Sequence, residues 1–329
     1  MYLQNVQHKH PLHPSIADHH LLDNFYVVAM ISNPLRWQRR QQLFKEWEGR
    51  MQKAGVKYLV ANVEFANRSH KIMNKDDPHN FTLQTSDELW LKENALNLAV
   101  SRLPTDWQYV AWIDTDIVFE RDDWALETVH QLQHYAVVQM FQTAVDLGPD
   151  GEVFSYYRSF AWCYVTNQPH PRPMRYLPYW HPGYAWACTR EAWEGMGGLL
   201  DFAILGSGDH HMANALVGRA QYSFPKDIHA NYRSRVLAWQ ENAEASIKRN
   251  VGYVPGTILH HWHGKKRDRK YRDRWEILIK NDFDPERHIN YDRQRLLQLS
   301  ATAPPQLRDD IRLYFRQRNE DSNDTEPQW

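Results

Sequence analysis

Along the chain, short unbroken apolar runs alternate with longer amphipathic ones. Phe25 to Ser32 (FYVVAMIS) is apolar almost throughout and stops at Asn33-Pro34, which predicts a buried strand. From Arg36 to Ala54 the apolar positions Leu43, Trp47 and Met51 recur every fourth residue and Gly55 closes the run, a helical pattern. Tyr58 to Val63 predicts a second strand, and the polar stretch Asn67 to Phe81 a loop. Thr85 and Glu88 stand at capping-box spacing before a stripe of Leu91, Ala95, Leu98 and Ala99, which Pro104 stops. This second helix carries Lys92, Asn94 and Asn97 on its other face. Tyr109 to Ile113 (YVAWI) predicts a third buried strand, ending in Asp114-Thr115-Asp116.

Strand, helix, strand, helix, strand in alternation predicts an α/β fold with a mostly parallel central sheet flanked by helices. Ligands of such sheets gather at the carboxyl ends of the strands, where Asn33 and the Asp114/Asp116 pair fall. Beyond Phe119 the rhythm changes. Ala136 to Phe141 predicts a strand, Phe154 to Trp186 an irregular region rich in Tyr, Trp and Pro, and Asp209 to Leu216 a helix after the glycine-rich Gly195–Gly208. The expected organisation is an N-terminal arm (1–24), a nucleotide-sugar-binding half (25–135), an acceptor-binding and catalytic half (136–299) and a frayed polar tail (300–329).

Composition narrows the class. The 329 residues are 42% hydrophobic and 24% charged, which supports a sizeable core. A net charge of -1 gives no global attraction to nucleic acid or acidic membranes. The two cysteines, Cys163 and Cys188, have no metal or redox spacing. No apolar run reaches spanning length and the N-terminus shows no signal pattern, so a cytoplasmic location is expected.

Four segments carry candidate chemistry. In Asp114-Thr115-Asp116 the carboxylates two residues apart project to one side of an extended chain and can share Mn²⁺ or Mg²⁺ (a solvated acidic turn reads the same). In His260-His261-Trp262-His263, His261 and His263 have the same i, i+2 spacing and ligand chemistry. Gly206-Ser207-Gly208-Asp209-His210 places an acid at a helix start, where free N–H groups keep it ionised as a base requires, although a simple cap has the same pattern. The basic run Lys265–Arg274 can neutralise a diphosphate, grip a nucleic-acid backbone or form a solvated face.

In their order, these segments resemble GT-A glycosyltransferases, nearest to the β-1,4-galactosyltransferase type. Pro34-Leu35-Arg36 resembles that type's Pro-Phe-Arg element at the nucleotide site. Gly206-Ser207-Gly208-Asp209-His210 resembles its Gly-Gly-Glu-Asp element, with Ser207 replacing a Gly and His210 an acid. The resemblance covers about residues 25 to 280 and implies a GT-A type, Rossmann-like sheet with an acceptor-side C-terminal half.

What it implies for activity is a metal-dependent, inverting hexosyl- or pentosyltransferase that uses a nucleotide-sugar, usually a UDP-sugar. Asp116 with His261 or His263 would hold the metal, and Asp209 would be the base. Asn33, Pro34, Arg36, Lys92, Asn94, Asn97, Asp114 and Arg267 are the donor-site candidates. Trp180, Tyr184 and Trp186 are candidates for the acceptor platform. Modified DNA (a hydroxymethylated base), a glycan and a protein all remain open as acceptors. Two other classes compete: a two-metal phosphoesterase, because Asp209-His210-His211 spells the DHH signature, and a nucleic-acid-binding protein built on the basic run.

Overall fold

The computed structural model describes residues 20–65, 77–169, 180–271 and 273–325. Most of the N-terminal arm, most of the loop expected at 67–81 and the last four residues of the expected tail lie outside them. In chain order the main elements are β1 (Phe25–Ser32), α1 (Gln38–Lys53), β2 (Lys57–Phe65), β3 (Asn80–Thr85), α2 (Lys92–Val100), β4 (Tyr109–Ile113), β5 (Ile117–Phe119), α3 (Trp124–Leu132), β6 (Val137–Gln139) and β7 (Thr143–Leu147). There follow β8 (Val153–Ser159), α4 (Phe160–Val165), β9 (Trp180–His181), β10 (Ala185–Thr189), α5 (Arg190–Met196), α6 (Gly208–Leu216), α7 (Ala230–Ile247), β11 (Val251–Tyr253) and β12 (Thr257–His260). The chain ends with α8 (Arg274–Lys280), the pair β13 (Ile289–Tyr291) and β14 (Leu297–Leu299), and α9 (Pro305–Gln317).

The central sheet has the order β11-β6-β10-β4-β1-β2-β3. Only β10 runs antiparallel to its neighbours; the other pairings in the sheet are parallel. Both faces of the sheet are covered. Phe25, Val27, Ala29 and Ile31 of β1 pack with α1 and α3, while Tyr26 and Val28 pack with α2 and the helices of the second half. Burial on both faces is why β1 reads as a continuous apolar run rather than an alternating one. The fold is therefore α/β with a mostly parallel central sheet flanked by helices.

A second sheet, in the order β5-β12-β7-β8-β9, stands against the carboxyl end of the first. The turn Asp114–Asp116 joins them, because β4 belongs to the central sheet and β5 pairs with β12. Among the described residues no helix is long and apolar enough to cross a membrane.

Four local expectations are corrected. Asn80 and Phe81, expected in a loop, begin β3, an edge strand with few apolar positions to announce it. Thr85 does not cap α2: its hydroxyl accepts from the Asp87 N–H in a turn, and the helix starts at Lys92. Residues 300–325 are no frayed tail. α9 buries Leu307, Ile311, Tyr314 and Phe315, each contributing roughly 1.5–3 kcal/mol by removal from water, and Glu320 beyond it is fully buried. The region expected to be irregular holds β8, α4, β9 and the start of β10 among its described residues.

Candidate active site

The acidic turn after β4 is held from both sides. Asp114 donates its N–H to the Tyr184 carbonyl at 2.8 Å, and the Asp116 carbonyl accepts from the His261 N–H at 2.9 Å. The Asp114 carboxylate pairs with Lys92, the first residue of α2. Burial works against the Lys92 charge, but Asp114 and Asp209 outweigh it and raise the ammonium above its usual range.

Opposite stands a triangle of donor atoms. Asp116 Oδ2 lies 3.0 Å from His263 Nε2 and 3.8 Å from His260 Nε2, and the two Nε2 atoms are 3.1 Å apart. His260 ends β12, beside Asp146 in β7 in the strand register. Its Nδ1 is 2.9 Å from Asp146 Oδ1, which also accepts from the Tyr184 hydroxyl at 2.8 Å. The other Asp146 oxygen receives Lys266 and, at 3.2 Å, the Ser155 hydroxyl. Burial pushes Asp146 up, but His260 and Lys266 outweigh it and hold the carboxyl far below its usual range.

An ionised Asp146 holds a proton on His260 Nδ1, so that once the ring gives up its other proton the Nε2 lone pair faces Asp116 and His263. Burial depresses His260, yet Asp116 and Asp146 raise it to about 9. Burial and the neighbouring Arg269, whose guanidinium is 2.8 Å from Nε2, lower His263 to about 4. Asp116 Oδ1 is buried without a hydrogen-bond partner. One carboxylate and two imidazoles converging beside an orphaned oxygen fit a divalent cation. They form the three-ligand cluster found among the described residues.

Asp209 approaches from another side. The loop before α6 carries Gly206 and Ser207 at positive φ, 87° and 83°. A Cβ on Gly206 would stand 3.0 Å from Arg274 Nη1, and one on Gly208 would overlap the Glu93 carboxyl at 2.5 Å. The glycines thus let α6 begin close against α2. Asp209 sits in the first turn of α6, where Oδ1 accepts the His210 N–H at 2.8 Å. Its Oδ2 lies against Gly183, where an added Cβ would be 2.6 Å away. Burial, and Asp209 against the opposing pull of Lys92, raise the neighbouring Glu93 to about 8.

These groups share a cleft of about 1410 Å³. Of the residues singled out in the sequence, Pro34, Lys92, Asp114, Asp116, Asp209, His263, Trp180 and Tyr184 line it. The others are placed elsewhere. Asn33 closes its own turn, accepting from the Trp37 N–H and donating to the Trp37 carbonyl. Arg36 is exposed, and Arg40, one helical turn on, lines the cleft instead. Asn94 reaches Asp201 and the backbone at Arg295 and Leu297, while Asn97 is spent on both backbone groups of Leu199. Trp186 donates to the Pro182 carbonyl inside the core. Arg267 lies on the exposed side of a 3-10 turn, Lys266–Arg269, whose Lys266 and Arg269 line the cleft. His261 stands outside the triangle, and His260 takes its place.

The DHH reading fails on its last residue. His211 is buried in the core, 2.8 Å from the Ser223 hydroxyl and 2.9 Å from the Tyr232 hydroxyl. A second buried network, missed in the sequence, closes the site from behind. Glu320 accepts from Arg40 at 2.8 and 2.6 Å and from Arg318 at 2.8 Å, and lies 3.9 Å from His263 Nδ1. Burial is outweighed there by Arg40 and Arg318, which lower Glu320 to about 2. Arg40 and Arg318 thereby present their charge to the cleft.

No family model matches this chain, and no curated protein matches it. Among solved structures, the catalytic domain of Drosophila beta1,4galactosyltransferase 7 in complex with xylobiose is similar at 12% identity, over 84% of this chain and 94% of that one, with a TM-score of 0.35. The first 349 residues of S. aureus TarS, in complex with UDP-GlcNAc, match at 8% identity over 74% of this chain and 60% of that one, with a TM-score of 0.40. The 4-diphosphocytidyl-2C-methyl-D-erythritol synthase of Anaerococcus prevotii matches at 10% identity over 70% and 88%, with a TM-score of 0.35. Likenesses this weak assign no family.

Proposed function

We propose that the chain is a divalent-metal-dependent glycosyltransferase that moves a sugar from a nucleotide-sugar, a UDP-sugar in the first instance, to an acceptor hydroxyl. The observation that carries this reading is the triangle of Asp116, His260 and His263 in a cleft that Asp209 enters from another side. It agrees with the resemblance of the motifs to the GT-A glycosyltransferases of the β-1,4-galactosyltransferase type. Two imidazoles with one carboxylate suit Mn²⁺ better than Mg²⁺, which prefers an all-oxygen shell.

A bound cation would neutralise charge on the departing diphosphate. The chain's own groups do the rest. Arg40 and Arg318, held by Glu320, offer fixed positive charge to the diphosphate from the same cleft. Burial raises the Asp114 carboxyl and Lys92 opposes that rise, and Asp114 offers its oxygens as acceptors for donor hydroxyls. Asp209 takes the proton of the acceptor hydroxyl as its oxygen bonds to the anomeric carbon. The bond from that carbon to the diphosphate oxygen breaks in the same displacement, and the nucleoside diphosphate leaves with the electron pair. A single displacement inverts the anomeric configuration.

Calorimetric titration with nucleoside diphosphates and their sugars, in Mn²⁺ and again in EDTA, tests the reading. One nucleotide is expected to bind only with metal; no binding under any condition refutes the proposal. In the same assay Asp146→Asn is expected to weaken Mn²⁺ binding by about 10–100-fold, because it frees the His260 tautomer while leaving all three ligands in place. Unchanged Mn²⁺ affinity would refute the orienting role of Asp146.

A further inference from the structure

The cleft carries more positive charge than a donor and its metal can use. Eight Lys and Arg side chains line it, against three Asp. Four of the eight pair with carboxylates, and a fifth is held against the metal triangle. Lys92 pairs with Asp114, Lys266 with Asp146, Arg40 and Arg318 with Glu320, and Arg269 faces His263 in the metal triangle. Arg219, Lys226 and Arg274 remain, and among the described residues none of the three forms an ion pair with a carboxylate. A sugar nucleoside diphosphate brings about two negative charges, which a divalent cation with Arg40 and Arg318 already answers. The three surplus cations therefore answer to a different anion.

Their placement says which molecule carries it. Arg274 donates to the Ser207 hydroxyl, in the loop that leads into Asp209. Arg219 follows the end of α6, the helix whose first turn holds Asp209, and its N–H donates to the Asn214 carbonyl at 2.8 Å. The guanidinium lies 6.0 Å from the Trp180 ring centroid, and its Nη1 is buried with no hydrogen-bond partner. A buried guanidinium N–H without an acceptor is costly, and a phosphate oxygen is the acceptor its forked geometry fits best. Tyr222, Phe224 and Trp275, neighbours of these cations along the chain, also line the cleft. Cations interleaved with ring faces are the arrangement that takes up phosphate-linked sugars or bases. At about 1410 Å³ the cleft also exceeds the roughly 300–1,000 Å³ of a single small-ligand pocket.

We propose that Arg219, with Lys226 and Arg274, forms an anion subsite on the Asp209 side of the cleft, and that the acceptor carries a phosphate next to the hydroxyl-bearing ring. This rests on the reading of the cleft as a transferase site, with Asp209 on the acceptor side. A sugar phosphate and a nucleotide unit of a nucleic acid share the required chemistry.

The test is calorimetric titration at low salt with glucose 6-phosphate, a single-stranded oligothymidylate and plain glucose as probes. Each is run on protein saturated with UDP and Mn²⁺ and again on protein without them. A phosphate probe is expected to bind where glucose does not. Arg219→Gln should weaken that binding about tenfold, and the exposed Lys226→Gln by about threefold, with the affinity for UDP and Mn²⁺ unchanged. Tighter binding of the oligonucleotide, falling steeply with salt, identifies a nucleic-acid acceptor. Tighter binding of glucose 6-phosphate identifies a phosphorylated sugar.

The proposal is overturned if glucose binds as well as its phosphate, or if phosphate affinity is the same in both variants as in the parent chain. Failure of UDP to bind with Mn²⁺ counts against the transferase reading alone, because the loss of phosphate binding on Arg219→Gln is read without UDP as well.

Discussion

Asp116→Ala is expected to abolish metal-dependent nucleotide binding while leaving the fold intact. Asp116 supplies the one carboxylate of the triangle, and its Oδ2 is the atom that both imidazoles face, at 3.0 and 3.8 Å. Removing it leaves two imidazoles beside the Arg269 guanidinium, so cation binding loses its compensating charge. The loss should exceed the roughly 10–100-fold expected when a group behind a ligand is removed. Titration of Mn²⁺ followed by its paramagnetic resonance signal, with nucleotide calorimetry in parallel, reads both effects. A variant that still binds nucleotide with Mn²⁺ as tightly as the parent chain would refute the ligand role. The parent chain should also bind metal more tightly as pH rises towards about 9, since His260 must release its proton for Nε2 to coordinate.

Some of this was readable from the sequence and some was not, for reasons of geometry. The spans of β1 and β4 follow from apolar runs bounded by Asn33-Pro34 and by Asp114, and the structure reproduces both bounds. Asp114, Asp116 and Asp209 reach the cleft because each adjoins an element end that the pattern marks. Asn94 and Asn97 miss it through helical rotation. At about 100° per residue, Asn94 points some 200° and Asn97 some 140° away from Lys92, so one helix cannot turn all three to the same ligand. The i, i+2 logic applied to His261 and His263 holds only along a strand, but β12 ends at His260 and the chain turns after it. Trp186 lies inside β10, opposite Trp112 in the register, so the pleat directs it into the core.

The residues that sequence reasoning missed lie far from their partners along the chain. Asp146 orients a histidine 114 positions away, and Glu320 holds an arginine 280 positions away. No local pattern announces such a pair. The polar composition after Ser300 even pointed the wrong way, because α9 shows only one narrow stripe to the core, at Leu307, Ile311, Tyr314 and Phe315. Glu320, buried in that segment between Arg318 and Arg40 of α1, reads as part of a solvated tail until the fold brings α1 against it. The site is thus assembled from element ends that are legible in sequence and from buried ion pairs that are not.

Asp209→Asn should lower kcat by about 10²–10⁴-fold while nucleotide binding with metal survives. The amide keeps the shape of the carboxylate and can still accept the His210 N–H, now at 2.8 Å from Oδ1, so α6 retains its first turn. What the substitution removes is basicity at Oδ2, the oxygen that faces Gly183 and the cleft. Lys92 lies close enough to be stabilised by Asp209. Single-turnover rates with saturating donor separate the chemical step from binding. A proton acceptor lost from the transition state lowers kcat with the donor affinity unchanged. Equal losses in turnover and nucleotide affinity would instead assign Asp209 to the architecture of the α6 start, and the base would have to be sought elsewhere in the cleft.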